Sequence, residues 1–184
     1  MVRVISGSAR GRKLLAPEGY DTRPTTDRVK ESIFNIISPH LPADSVLDLF
    51  AGSGGLGIEA LSRGSKHCVF AEKDKNALSV VRKNLELARV SDKSELISGD
   101  AFSYLERTNL KFDIIFLDPP YNTGLLTKAI ALIYNKNLLT ENGIIVAESE
   151  HLGETPANDQ FDIKRSAKYG KTTVFVLCPH KRER

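Results

Sequence analysis

Compact apolar runs alternate with amphipathic helical stretches from residue 45 onward, and this alternation restricts the fold more than any other feature. Five of the runs have the length of a buried strand: SVLDLF (45–50), HCVFAE (67–72), SELISGD (94–100), FDIIFLD (112–118) and GIIVAES (143–149). Strands that alternate with helices form parallel sheets covered by helices on both faces. Two more strand-like runs, FDIKRSA (161–167) and TTVFVLC (172–178), follow without a clear helix between them, which predicts an edge hairpin. We therefore expect an α/β fold with a doubly wound, Rossmann-like, mostly parallel seven-stranded sheet.

A small extension precedes this core. Residues 2–6 and 12–16 have the pattern of two short strands joined by a turn with glycine and arginine, which predicts a β-hairpin. A helix is expected after Pro24, because three N-cap candidates are followed by apolar residues at helical spacing; Pro39 and Pro42 are expected to end it. The chain has the length of a single domain, in which residues 1–40 form the extension and residues 41–184 the catalytic core.

Composition and charge limit the functional classes. With 41% hydrophobic residues, no apolar signal segment and no stretch that could span a bilayer, the chain is expected to be a soluble, cytoplasmic protein without membrane contact. The two cysteines are expected to be reduced, and the four scattered histidines predict no metal site. Residues 1–30 carry seven Lys/Arg against three Asp/Glu, and residues 161–184 carry seven against two, so both ends are basic. They predict either a phosphate-binding patch or two solvated tails.

Glycine and acidic residues follow the first three strands of the core. The glycines Gly52, Gly54 and Gly57 match G-x-G-x-x-G, a loop that brings backbone close to a ligand at a helix start. Glu72 ends the next strand and is suited to accept both hydroxyls of an adenosine ribose. Asp100 and Phe102 end the third, where they are suited to an adenine amino group and ring. Ligands of such sheets bind at the carboxyl ends of the strands, so these groups predict a nucleoside site.

The first two strand ends are also compatible with a nicotinamide dinucleotide. Asp48 argues against this alternative, because it lies four residues before Gly52, where its carboxylate would repel a pyrophosphate. The same carboxylate would attract the ammonium group of a zwitterionic amino-acid tail. The sequence therefore favours a ligand that joins an amino acid to adenosine.

The fourth strand ends in Asp118, Pro119, Pro120 and Tyr121. An exocyclic amine on a nucleobase is a poor nucleophile, because its lone pair is delocalised into the ring. Holding its two N–H groups with acceptors would turn the lone pair towards a methyl donor. Proline has no amide N–H, so this turn offers carbonyl acceptors, while Asp118 can stabilise the positive charge that develops on nitrogen. Tyr121 can stack on a base taken out of its helix. The alternative is that the prolines only end the strand and that Asp118 caps the next helix.

In order, these motifs resemble those of S-adenosylmethionine-dependent amino-methyltransferases. The segments RVISGSARGRKL, TRPTTDRVKESIFN and AGSGGLGIEALSRG resemble, more specifically, the RsmD family of bacterial small-subunit rRNA guanine-(2-amino)-methyltransferases. The similarity extends from about residue 3 to KYGKTTVFVL near the C-terminus. It implies a class I methyltransferase fold, S-adenosyl-L-methionine as cofactor and a guanine of 16S rRNA as target. Relatives often carry a bulkier residue at Ala9 and phenylalanine at Tyr121.

Each motif residue then receives an expected role. In the donor site, Gly52, Ser53 and Gly54 support the methionine part, Asp48 faces its ammonium group, Glu72 binds the ribose, and Asp100, Ala101 and Phe102 bind the adenine. Arg23, Thr25 and Thr26 precede a helix N-terminus suited to the donor's carboxylate, although helix capping explains the threonines equally well. The catalytic turn consists of Asp118, Pro119, Pro120 and Tyr121. The RNA phosphates are expected to contact Arg3, Arg10, Arg12, Lys13, Arg28, Lys168 and Lys171.

Three other functions remain as alternatives. An amino-methyltransferase acting on adenine in DNA or RNA shares the logic of the turn, although DNA enzymes of this kind normally carry a target-recognition insertion. A non-catalytic RNA-binding module explains the basic ends but leaves the four strand-end motifs without a role. Carbon methylation needs a thiol beside the target, and Cys68 and Cys178 belong to other strands. A small chain without a domain for reading sequence suits a structured partner, so the expected substrate is 16S rRNA in an assembling small ribosomal subunit. The protein is expected to act as a monomer.

Overall fold

The computed structural model describes residues 2–17, 27–120, 124–150 and 159–180, with the backbone alone at Glu150. Within these ranges the strands are β1 (Val2–Arg3), β2 (Lys13–Leu14), β3 (Ser45–Asp48), β4 (His67–Glu72), β5 (Ser94–Ser98), β6 (Phe112–Leu117), β7 (Leu139–Glu150), β8 (Phe161–Tyr169) and β9 (Thr172–Pro179). The α-helices are α1 (Asp27–Ile36), α2 (Gly55–Ser62), α3 (Lys75–Ala88), α4 (Ala101–Arg107) and α5 (Leu125–Asn135). Short 3-10 helices lie at Ser38–His40 and Ser91–Lys93.

Seven strands form one sheet in the order β5-β4-β3-β6-β7-β9-β8. Strands β3 to β7 run parallel, while β9 pairs antiparallel with both β7 and β8. This confirms the predicted parallel sheet with its antiparallel edge hairpin. The chain passes from β3 to β4 on one side and later to β6 on the other, so a crevice opens where the strand order reverses. The last residue of β3, Asp48, lies in register with Phe70 and Phe116 at this point.

Both faces of the sheet are buried, which explains why the central strands read as continuous apolar runs. In β6, Ile114 and Phe116 belong to the core beneath α1, α2 and α3, whereas Ile115 and Leu117 belong to the core beneath α4 and α5. The period of two in side-chain direction places successive residues on opposite faces. Asp48 follows Val46 by two residues, so it lies on the face that carries α1 and α2.

The N-terminal hairpin has shorter strands than the predicted 2–6 and 12–16, because its middle bonds to α2 instead of pairing across the hairpin. The amides of Ile5 and Ser6 donate to the carboxylate of Glu59 at 2.8 and 3.0 Å. The amide of Ala9 donates to the hydroxyl of Ser62 at 2.9 Å, and that hydroxyl donates to the Ser6 carbonyl at 2.6 Å. The hairpin is therefore an integral part of the fold.

Helix α1 is described from Asp27 onward and ends at Ile36, before the 3-10 helix that contains Pro39. Thr25, Thr26 and Arg23 lie outside the described residues, as do Tyr121 and residues 151–158. None of the described helices is long and apolar enough to cross a membrane.

Candidate active site

A cavity of about 750 Å³ opens at the carboxyl ends of β3, β4, β5 and β6. Cavities of this size are typical of ligand sites. Ten residues that the sequence predicts for the site line it: Asp48, Gly52, Ser53, Glu72, Asp100, Ala101, Phe102, Asp118, Pro119 and Pro120. Four strand-end motifs that are up to 72 residues apart in sequence thus meet in one space.

Glu72 connects the end of β4 to the glycine loop that follows β3. Its Oε2 accepts from the Gly52 amide at 2.8 Å, and its Oε1 accepts from the Asp74 amide at 2.8 Å. The side chain is buried but lines the cavity. Because each carboxylate oxygen has two lone pairs, both can still accept a hydroxyl of a ribose. Glu72 therefore shapes the loop and offers two oriented acceptors.

Asp48 is nearly inaccessible to water, and its Oδ2 accepts from the Gly57 amide at 3.0 Å. Burial raises the pKa of Asp48 to about 7, while that hydrogen bond lowers it and the nearby Asp118 and Glu72 carboxylates raise it further. Removal from water also raises the pKa of Asp118 to about 6. Two carboxylates that ionise with difficulty, in contact with one cavity, fit a cationic ligand because its charge would stabilise both ionised forms.

The turn after β6 places Asp118, Pro119 and Pro120 on the cavity wall. Pro119 is buried and Pro120 is exposed. Helix α5 begins only at Leu125, and its N-cap is Gly124 in a left-handed conformation with no side-chain cap. The alternative in which Asp118 caps the next helix is therefore wrong.

At the opposite side of the cavity, Asp100 is the N-cap of α4. Its Oδ1 accepts from the Ser103 amide at 3.0 Å, which leaves Oδ2 for other donors. Phe102 lies on the first turn of α4, edge-to-face with Phe50 at 6.4 Å between ring centroids. The ammonium group of Lys128 lies 4.2 Å from the centroid of the Phe102 ring. This wall has the acceptor and the aromatic surface that an adenine ring requires.

The glycines of the G-x-G-x-x-G motif divide into two groups. Gly52 lines the cavity, whereas Gly54 and Gly57 do not. Gly54 is the N-cap of α2 with a φ of 77°. A β-carbon on Gly57 would lie 2.3 Å from the Phe70 ring, so this glycine permits close packing of α2 on β4. Gly54 therefore does not face the cavity, and it can support the donor only by setting the backbone conformation at the start of α2.

Several residues that line the cavity are not predicted from the sequence, and Lys30 is the most unusual of them. It is 1% exposed and lines the cavity from α1. The available sequence signal is its spacing, because Lys30 precedes the buried Ile33 and Phe34 by three and four positions and so shares their face. A lysine on an apolar helix face is easily taken for a solvated one. Lys73 and Lys75 also line the cavity, beside Glu72.

The cations predicted to bind RNA form two groups. Arg10, Arg12 and Lys13 are exposed on the hairpin, while Lys168 and Lys171 are exposed near the β8–β9 turn. Arg28 is exposed on α1, and Arg3, although 58% exposed, pairs with Asp27.

The two groups lie at different places relative to the cavity. Thr172, the first residue of β9, pairs with Glu150 at the carboxyl end of β7, so the β8–β9 turn lies at the same edge of the sheet as the cavity. The hairpin tip contacts Ser62 at the end of α2, about 12 Å along that helix from its cavity end. Both groups are therefore candidates for contact with a substrate that extends beyond the cavity.

Among the described residues, no cluster of histidine, cysteine, aspartate and glutamate has the arrangement of a metal site. The predicted contacts of Arg23, Thr25, Thr26 and Tyr121 fall on residues that the structure does not describe.

Comparison with known proteins adds an independent line of evidence. The family model described as "Conserved hypothetical protein 95" matches residues 2–178. "Putative rRNA methyltransferase YlbH" of Bacillus subtilis is 45% identical over 179 residues, with 95% of this chain and 97% of the relative covered. "Ribosomal RNA small subunit methyltransferase D" of Haemophilus influenzae is 41% identical over 152 residues, with 81% and 79% covered.

Solved structures agree with these relatives. The Escherichia coli protein yhhF superposes with a TM-score of 0.86 at 34% identity, over 98% of this chain and 99% of its own. An RNA methyltransferase from Salinibacter ruber, solved in complex with S-adenosyl-L-homocysteine, shares the fold at 20% identity, with a TM-score of 0.66 and coverage of 88% and 97%. The chain therefore belongs to the conserved hypothetical protein 95 family, the RsmD family of S-adenosylmethionine-dependent methyltransferases.

Proposed function

We propose that the protein methylates the exocyclic 2-amino group of a guanine in 16S rRNA, with S-adenosyl-L-methionine as donor. Relatives named ribosomal RNA small subunit methyltransferase D, such as the Escherichia coli protein at 38% identity, support an rRNA substrate. The observation that carries the proposal is that the acceptor turn Asp118–Pro120 and the nucleoside-binding side chains line the same cavity. A methyl donor held by the latter would therefore lie beside an amine held by the former.

The residues of the donor half fit such a ligand. Glu72 would accept the ribose hydroxyls, Asp100 and the Ala101–Phe102 wall would hold the adenine, and Asp48 would face the ammonium group. When bound, S-adenosyl-L-methionine supplies an electrophilic methyl group on a positively charged sulfur. The buried Asp48 carboxylate and the partly buried Asp118 carboxylate favour that positive charge.

The residues of the acceptor half would orient the amine. Asp118 and the Pro119 carbonyl accept its two N–H groups, which directs the nitrogen lone pair at the methyl group. Proline has no amide N–H, so the turn does not compete with the amine for these acceptors. In the methylated product the nitrogen must lose a proton. Asp118, whose pKa of about 6 is above that of a free aspartate, is a suitable acceptor for it.

Substrate binding would require the base to leave its stack, because Asp118 and Pro119, which would hold its amine, line the cavity. Tyr121 would stack on the extruded guanine. Two groups of cations would bind the RNA phosphates around the base. Lys168 and Lys171 would act at the β8–β9 turn, and the hairpin and α1 would contribute Arg3, Arg10, Arg12, Lys13 and Arg28. In this arrangement residues 1–40 serve as an RNA-contact extension of a catalytic core formed by residues 41–184.

The direct test is transfer of a tritiated methyl group, followed by nucleoside analysis of the product. Naked 16S rRNA, small-subunit particles and duplex DNA are offered in parallel. The proposal expects 2-amino-methylated guanosine in rRNA, and it expects particles to be the better substrate if the enzyme acts, as we propose, on the assembling subunit in the cytoplasm. Methyl-adenine would instead support the second candidate, an amino-methyltransferase for adenine in RNA or DNA, which uses the same Asp118–Pro119 acceptors. Size-exclusion chromatography with light scattering tests the proposed monomer.

A further inference from the structure

Lys30 is a fully buried cation that contacts the donor cavity. Its side chain is 1% exposed, and it lies on α1 among the lining residues. Its ammonium group donates to the carbonyl oxygen of Arg3 in β1 and lies 3.4 Å from Oε2 of Glu59 in α2. An ammonium group has three N–H donors, so these two partners leave one for a further acceptor.

The ion pairs around Lys30 contain more cations than carboxylates. Glu59, which is 0% exposed, is shared between Lys30 and Arg63, whose Nε donates to Oε1 at 2.9 Å. Asp27 is paired with the side chain of Arg3. Three cations thus face two carboxylates. Burial lowers the pKa of Lys30, while Glu59 and Asp27 oppose that shift.

The same cavity also carries carboxylates, because Asp48, Glu72 and Asp118 line it together with Lys30. The cavity wall therefore presents both carboxylates and a lysine ammonium group. A ligand whose end carries both an ammonium and a carboxylate group matches this distribution of charge.

The start of α2 is close to Lys30 and adds further donors. Gly55 and Leu56 line the cavity, and their N-cap Gly54 provides no side-chain cap. A β-carbon on Gly55 would lie 3.3 Å from Cγ1 of Val2, the residue before Arg3. The Gly57 amide in this first turn already donates to Asp48. Gly55 and Leu56 lie before it, at the end of α2 where the helix dipole favours a further anion, and this end is close to the β1 segment that Lys30 contacts.

We propose that Lys30 binds the carboxylate of the donor's amino-acid end and so helps the protein to discriminate between donors with and without this group. The inference rests on the proposed function in that it takes S-adenosyl-L-methionine as the ligand of the cavity. Lys30 touches neither the methyl group nor the target amine in this role, so it is a positioning residue. Because the same ammonium group holds the Arg3 carbonyl, it also fixes the hairpin against the occupied donor site.

Calorimetric titration with the product and two of its analogues tests the role of Lys30 without a methyl-transfer assay. The ligands are S-adenosylhomocysteine, its decarboxylated form, which keeps the amine, and 5′-methylthioadenosine, which lacks the whole amino-acid end. In Lys30→Met, the affinity for S-adenosylhomocysteine is expected to fall about ten- to a hundredfold, the loss of one charge-assisted hydrogen bond. The affinities for the two analogues without a carboxylate should change less than threefold. Lys30→Arg should recover most of the loss.

Arg63→Met is the matched control, because it removes the other cation of Glu59 from a side chain that does not line the cavity. It is expected to leave the affinity for S-adenosylhomocysteine close to that of the unmodified protein. If Arg63→Met weakens binding as much as Lys30→Met, or if Lys30→Met weakens all three ligands equally, the effect is structural and the inference is overturned.

Lys30→Met leaves the buried Glu59 without one of its cations and for that reason risks misfolding. The double variant Lys30→Met/Glu59→Gln removes both charges and serves in its place. Within either variant, the ratio of the affinities for S-adenosylhomocysteine and its decarboxylated form is the decisive number. A ratio near one supports the inference, and the unmodified protein's ratio refutes it. If the unmodified protein binds S-adenosylhomocysteine but yields no methylated guanosine, the proposed function fails while this inference stands.

Discussion

Replacement of Asp118 by asparagine is expected to stabilise the unliganded protein at neutral pH while it abolishes methyl transfer. The carboxylate is partly buried at the end of β6, near the buried Asp48. Removal from water raises the pKa of Asp118 to about 6. An aspartate in an unfolded chain has a pKa of about 3.9. The native state therefore holds the proton more tightly than the unfolded state does.

The sign and size of the effect follow from this difference. When a group has a higher pKa in the native state than in the unfolded state, its contribution to stability is complete below the unfolded-state pKa. That contribution is lost as the pH rises through the native-state pKa. A difference of roughly two pKa units corresponds to about 3 kcal/mol. Since Asp118 is partly accessible to solvent, we expect about 2 kcal/mol of stabilisation in Asp118→Asn above pH 7, falling to a small fraction of that near pH 4.

The assay is urea-induced unfolding of the unliganded protein and of Asp118→Asn between pH 4 and pH 8. Asp92→Asn, in the exposed 3-10 helix Ser91–Lys93, removes an equal charge from the surface and should give a difference within about 0.5 kcal/mol. Methyl transfer by Asp118→Asn should fall at least a hundredfold, with the affinity for S-adenosylhomocysteine reduced much less. A stability difference that is the same at pH 4 and pH 8, or a variant that is less stable at pH 8, would refute the electrostatic reasoning.

Three further predictions concern other parts of the molecule. Binding of the cationic donor requires ionised Asp48, whose pKa is about 7, so the affinity for the donor should rise about thirtyfold between pH 5.5 and 8. Calorimetry in two buffers with different ionisation enthalpies should detect the proton that Asp48 releases. An affinity that does not change with pH would contradict this prediction. Gly7→Ala should cost about 2 to 4 kcal/mol in unfolding experiments, since φ is +83° and the new β-carbon would lie 1.8 Å from the Ser62 carbonyl oxygen. Gly11→Ala, with φ +81° and open space, should cost only about 1 kcal/mol, and equal losses would disprove the steric part. Arg12→Ala should reduce the slope of log affinity for rRNA against log salt by about one; an unchanged slope and affinity would exclude the hairpin from RNA binding.

The sheet and most of the candidate site were predictable from local patterns. The run HCVFAE coincides with β4, and FDIIFLD differs from β6 by one residue, because apolar runs with turn signals on both sides are local features. The acidic and glycine residues at strand ends could be assigned to one site, since parallel strands bring their carboxyl ends to one edge. The hairpin strands were predicted too long, because Glu59 captures the Ile5 and Ser6 amides that would otherwise pair with the second strand.

What the sequence by itself determines here is the order of strands and helices and the kinds of chemical group at the strand ends, because both depend on residues that are neighbours along the chain. Only the tertiary structure decides that Lys30 is buried beside the donor cavity, that Gly57 serves packing against Phe70, and that the hairpin is bonded to α2. Each of these depends on contacts between segments that are more than ten residues apart. Whether a lysine is solvated or buried, and whether a carboxylate ionises near pH 4 or near pH 7, is set by those distant neighbours through desolvation and charge.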